Sequence, residues 1–120
     1  MAAVKSKIRR GRVVCLGCGH SIEVVQGRYS THHAAEESAY CFMSGMPQPF
    51  EGRDEESMRE RARIVACLAA EVQDSDPHQV WKYLGAVPPE FVRELLQVAL
   101  AGLDVDGKRP EDIWAGWGAA

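Results

Sequence analysis

Residues 15 to 20 read CLGCGH, with two adjacent histidines, His32 and His33, and a third cysteine, Cys41, soon after. No other feature limits the possible folds of this chain as much. A stretch of about thirty residues is too short to build a hydrophobic core of its own, and such modules usually need a metal or disulfides. The C-x-x-C spacing lets two thiolates from one tight turn reach a single tetrahedral ion. Gly19, behind the second cysteine, permits the backbone to curl back with its amides toward sulfur. A closed zinc site needs two further ligands. The segment SIEVVQGRYS, residues 21 to 30, is rich in β-branched residues and broken at Gly27, so it predicts strand, turn and strand. That hairpin returns the chain to the knuckle near STHH. Cys15, Cys18, Cys41 and one of His32 and His33 then form a set of three thiolates and one imidazole, donors that suit zinc.

Competing readings of the cysteines fit less well. A redox C-x-x-C normally opens a helix in a βαβ unit, whereas this one precedes strands. A disulfide framework needs an oxidising compartment, for which nothing in the sequence argues. Unrelated buried cysteines do not explain the clustering. Cys67 stands apart, in the middle of a helical segment, and reads as a small core residue. His78 reads as a surface residue. His20 lies too close to Cys18 to complete the tetrahedron, but it is placed to donate a hydrogen bond to a ligand.

CLGCGH, GRYSTHH and YCFMSGMP together resemble a small zinc-finger module found in actinobacterial proteins and their phages. Its pattern is a C-x-x-C-G knuckle, a short hairpin with a glycine turn, a histidine about five residues after that glycine, and a cysteine followed closely by Ser-Gly. Cys15, Cys18, Gly19, Gly27, Cys41, Ser44 and Gly45 match. Counting from Gly27 favours His32 over His33, and the doubled histidine departs from the pattern. The resemblance covers about thirty residues. It implies one structural zinc ion and a phage or actinobacterial source, and no settled activity.

The remainder reads as helices. Residues 54 to 74 open with Asp54, a good N-cap, followed by acidic residues suited to a helix start. Met58, Ala62, Val65, Leu68, Ala69 and Val72 recur at three- and four-residue steps and define one apolar face. A short helix follows over 75 to 85, and a third over 88 to 103 with Phe91, Leu95, Leu96, Ala99, Leu100 and Leu103 on a broad apolar face. A single turn is expected around Pro110 to Trp114. The expected architecture is small α+β: a basic flexible arm (1–12), a zinc-binding β-hairpin module of zinc-ribbon or knuckle type (13–45), a Pro/Gly linker (46–53) and a three- to four-helix domain (54–120).

Net charge is −3, which excludes a uniformly basic nucleic-acid binder. The charge is uneven. Lys5, Lys7, Arg9, Arg10 and Arg12 crowd the first twelve residues without an acid, and the rest carries nine bases against seventeen acids. No signal-like segment and no apolar run of about 20 residues occurs, so the expected location is the cytoplasm, in a phage's host if phage-encoded, with no membrane contact. Four good ligands leave no open coordination position. The deaminase signature, a phosphate loop and a nucleophile elbow are all missing, and the chain has no asparagine for a His-Asn-His nuclease. No small-molecule substrate is indicated.

The function expected is a non-catalytic zinc-binding regulator or adaptor that meets a protein partner through its acidic helical half, with Trp114 and Trp117 as candidate anchors. The alternative is a nucleic-acid-binding regulator using the basic arm and zinc module. A metal-dependent nuclease or hydrolase ranks third. Residues 80 to 96 have the rhythm of a helix-turn-helix. The would-be recognition helix starts with Glu90, Arg93 and Glu94, a poor match to phosphates. Trp81, Tyr83, Phe91 and the two C-terminal tryptophans are expected mainly in the core.

Overall fold

A computed structural model describes residues 10–34, 40–103, 106–107, 109 and 111. Three strands, β1 (Arg10–Val14), β2 (Ser21–Val25) and β3 (Arg28–Tyr29), form an antiparallel sheet in the order β1-β2-β3. Three helices follow: α1 (Glu55–Asp74), α2 (Pro77–Ala86) and α3 (Pro89–Gly102). The fold is the small α+β arrangement expected, with one strand more than the sequence suggests. Arg10 and Arg12, which read as part of a basic arm, belong to β1. Val13 pairs with Ile22 and Arg12 with Glu23. The strand is hard to see in RGRVV because two arginines and a glycine mask the alternation.

The sheet follows the period-two rule. Ile22 and Val24 of β2 are buried while Ser21 and Glu23 face outward or sit half-covered. β2 and β3 are joined by Gln26 and Gly27, with φ of 57° and 77°. Two successive positive φ values are what a two-residue hairpin turn of matching twist requires, and glycine adopts one at little cost. The chain then runs back along β3. Tyr29 N–H donates to Met46 O and Gly45 N–H to Tyr29 O, at 2.9 Å each, and Arg28 bridges Pro47. The Pro/Gly segment is thus an extended run against the sheet before it crosses to the helices.

Asp54 caps α1 as its sequence predicts, its carboxylate accepting from Ser57 N–H at 2.9 Å. Asp76 caps α2 in the same manner, accepting from His78 N–H. Along α1 the fully covered side chains are Ile64 and Leu68, with Glu60 and Arg61. Of the face predicted from spacing, Leu68 is buried and Val65, Ala69 and Val72 are half-buried, whereas Met58 and Ala62 at its N-terminal end are exposed. On α2, Val80 and Tyr83 turn inward. Trp81 lies about 100° round the helix from Val80 and is 75% exposed, contrary to the core position expected. On α3, Phe91 and Leu95 are buried, whereas Leu96 and Leu100, and Leu103 at the C-cap, remain exposed. Trp114 and Trp117 and most of the expected C-terminal turn lie outside the described residues.

One apolar core runs through sheet and helices, from Cys15, Tyr29, Cys41 and Met43 to Ile64, Tyr83, Phe91 and Leu95. Phe42 meets Tyr83 edge-on, and Phe50 meets Phe91 likewise. The Cys67 thiol donates to Phe42 O at 2.9 Å. Arg28 reaches from β3 to pair with Glu60 of α1 and also donates to Gly45 O at 3.0 Å. Arg61, almost fully buried, lies over the Phe50 ring and 3.2 Å from Glu94 of α3.

Candidate metal centre

The β1–β2 connection is the CLGCGH knuckle itself. Cys15 N–H donates to His20 O at 2.8 Å and Gly19 N–H to Cys15 O at 2.7 Å, which closes a tight turn. Gly19 takes φ of 83°. Gly17 is packed so closely that a Cβ there would lie 2.6 Å from Met43 Cγ. A knuckle formed this way leaves both cysteines at one end of the sheet. The chain that leaves β3 brings His32 to the same end, and the segment beginning at Cys41 crosses beside it.

Cys15, Cys18, His32 and Cys41 converge, with one ligand atom from each within 4.8 Å of all the others. Cys15 and Cys41 are buried; Cys18 and His32 are half-buried. The two buried sulfurs are 3.9 Å apart, far outside a disulfide. Two sulfurs bound to one tetrahedral zinc, at about 2.3 Å each, would be about 3.8 Å apart. The spacing therefore fits a shared ion.

The imidazole is oriented for the same purpose. His32 Nδ1 lies 2.6 Å from Ser30 O, so it carries the proton and donates it to that carbonyl. Nε2 is then an acceptor, and it is buried without a hydrogen-bond partner. An orphaned lone pair among three thiols is costly unless something occupies it. A metal ion would, and a histidine ligand held by a carbonyl on its other nitrogen is the usual arrangement. Ser44 adds two bonds to the His32 backbone: its hydroxyl accepts from His32 N–H and donates to His32 O, both at 3.1 Å. His33 points elsewhere. It is exposed, and its ring lies 4.6 Å from that of Tyr40.

Backbone amides turn toward each sulfur. Gly17 N–H donates to Cys15 Sγ at 3.3 Å, and the His20 and Met43 amides serve Cys18 and Cys41. The hydrogen bond between Cys15 and Cys41 dominates their acidity. It holds the Cys15 thiol down to about 5 and pushes Cys41 upward, so one proton is shared between two sulfurs. Burial raises Cys18, opposed by the His20 amide. Binding a cation at this point would release the remaining thiol protons.

The other residues singled out in the sequence fall outside this group. Cys67 is half-buried on α1, its thiol raised by burial and held by Phe42 O. His20 is exposed and contributes its amide rather than its ring. His78 is exposed at the start of α2. Arg12 is exposed on β1 and donates to Ser21 O at 2.8 Å. Lys5, Lys7 and Arg9 lie outside the described residues, and Arg10 is placed only as a residue of β1. Ser30 and Ser44 support His32 through a carbonyl and a hydroxyl, partners that leave no spacing rule in the sequence.

This is a small α+β protein whose N-terminal sheet carries a Cys3His group able to hold a metal ion such as zinc. The chain belongs to the family described as Family of unknown function (DUF7368), matching it over residues 11–115. That match takes in the sheet, the Cys3His group and all three helices. No curated protein and no solved structure gives a significant match. Among the described residues no helix is long and apolar enough to cross a membrane.

Proposed function

We propose that this chain is a non-catalytic, zinc-binding regulatory or adaptor protein that recognises another protein through its helices. The zinc is structural in this reading. Cys15, Cys18, His32 and Cys41 supply four donors, two of them fully buried, which leaves no coordination position for substrate. A phage or actinobacterial source and a cytoplasmic setting accord with the sequence pattern and with reduced thiols.

The observation that carries the partner is the uncovered apolar side of the helices. Leu96 and Leu100 follow one another at a four-residue step on α3 and Leu103 stands at its C-cap, each 42% or more exposed. Beside them runs a groove of about 380 Å³ lined by Val65, Leu68 and Val72 of α1, Leu84 of α2 and Val92 and Leu96 of α3. Contiguous exposed apolar surface of this kind is a feature of interaction sites. A partner helix placing leucines at the same steps would match it.

The competing reading is nucleic-acid binding, and Arg12 on the exposed face of β1, with Lys5, Lys7, Arg9 and Arg10 before it, favours it. One comparison separates the two. Affinity capture from host extract, with and without nuclease treatment, is run with the natural chain, with Leu96→Glu/Leu100→Glu, and with a variant in which the five bases are neutral. The proposal expects a discrete protein captured by the natural chain and by the neutral variant, but lost with the leucine variant. Capture that needs the bases and disappears with nuclease would favour nucleic acid instead.

A further inference from the structure

The turn that carries Cys41 resembles the turn that carries Cys15, although its closing hydrogen bond spans three residues where the first spans four. In the first, the amide two residues on, Gly17, donates to Cys15 Sγ; Gly19 donates to Cys15 O; and Gly19 has φ of 83°. In the second, the amide two residues on, Met43, donates to Cys41 Sγ; Ser44 donates to Cys41 O at 3.0 Å; and Gly45 has φ of 80°. Both turns read Cys-x-x-X-Gly. In the first, X is Cys18, which supplies a thiolate. In the second, X is Ser44.

A serine hydroxyl is a poor substitute for that thiolate. It stays protonated near neutral pH, whereas a coordinating thiol gives up its proton. The hydroxyl is used otherwise. It closes on both backbone groups of His32, accepting from N–H and donating to O, while Cys41 N–H reaches the same carbonyl at 2.7 Å. Ser30 O fixes the ring from its far side. Together these bonds hold the His32 main chain and ring so that Nε2 turns to the three sulfurs.

We propose that Ser44 stands at a fourth-ligand position and acts as a positioning residue, fixing His32 so that imidazole supplies the donor a second cysteine would otherwise give. The inference rests on the reading that Cys15, Cys18, His32 and Cys41 bind zinc. It carries a consequence that a purely structural serine would not. A cysteine at position 44 takes the place in the Cys-x-x-X-Gly order that Cys18 takes in the first turn, so it makes His32 dispensable.

The test uses zinc and cobalt(II) ions with the full chain and four variants: Ser44→Ala, Ser44→Thr, His32→Ala, and His32→Ala combined with Ser44→Cys. Removing a partner that orients a ligand commonly costs 10- to 100-fold in metal affinity. Ser44→Ala is therefore expected to weaken zinc about 10- to 100-fold at unchanged stoichiometry, and Ser44→Thr to restore most of it. His32→Ala should lose tight binding. The double variant should recover one full equivalent, with a cobalt spectrum shifted toward four-thiolate charge transfer. If the natural chain binds zinc but Ser44→Ala matches it, or the double variant binds no better than His32→Ala, the inference is overturned alone. A natural chain that takes up no zinc overturns the metal reading and this inference with it.

Discussion

At the scale of single residues the account depends on which atoms meet the ion. His32→Ala is expected to abolish stoichiometric zinc binding while His33→Ala leaves it intact, because only His32 turns a buried, unpartnered nitrogen to the thiols. Isothermal titration with zinc reads this directly, and the reverse result would reassign the ligand. Gly17→Ala drives a methyl to 2.6 Å from Met43 Cγ. Overpacking of that kind costs about 1–3 kcal/mol, to be seen as a lowered thermal midpoint. Much of this site was legible in the sequence. Cysteine spacing, a glycine turn and a returning hairpin are local rules, and they single out the three cysteines of the candidate site. The count from Gly27 also favours His32 over its neighbour, but what holds that ring in place is not local. It depends on Ser30 and Ser44, whose hydrogen bonds follow no sequence spacing.

At the scale of elements the helices obeyed their caps better than their faces. Asp54 starts α1 where expected, and Asp76 caps α2 within two residues of its expected start, because an N-cap is decided within one turn. Which apolar residues become core is decided by the neighbours, and a broad stripe offers more than one answer. On α3 the stripe splits into buried Phe91 and Leu95 and exposed Leu96 and Leu100, with Leu103 exposed at the C-cap. On α1 a charged pair, Glu60 and Arg61, takes covered positions that periodicity assigns to no core face. Arg61 buries its charge in an ion pair with Glu94 and against the Phe50 ring, with Nε and Nη2 making no hydrogen bond. Glu94→Ala would strand that cation, and breaking a buried pair costs about 3 kcal/mol or more. Urea unfolding of the variant measures it, and a loss below about 1 kcal/mol would mean that water reaches the guanidinium.

At the scale of the molecule the sequence suggests two units, but the apolar core runs from the cysteines to α3. Removal of zinc should therefore be felt by the helices. With a chelator present, the helical circular dichroism should melt in one transition, on the order of 10 °C or more below the metal-loaded chain. An unchanged helical melt would show two independent parts. The same core governs alkaline stability. Burial pushes Tyr29 up to about 12 from an ordinary 10.0, and Tyr83 rises from the same cause. Both pKa values are higher folded than unfolded, so their contribution is complete below about pH 10 and is lost as pH climbs toward 12. Tyrosinate absorbance should show two of the three tyrosines ionising only as the helical signal collapses.

The central claim is that Cys15, Cys18, His32 and Cys41 hold one zinc ion. Elemental mass spectrometry on protein purified without added metal, paired with a count of reactive thiols before and after chelation, tests it most directly. The account predicts one zinc per chain, with three thiols protected until the chelator is added and Cys67 outside the protected set. A chain without metal whose four thiols all react freely would contradict it, and the reading of the sheet as a metal-built module would fall.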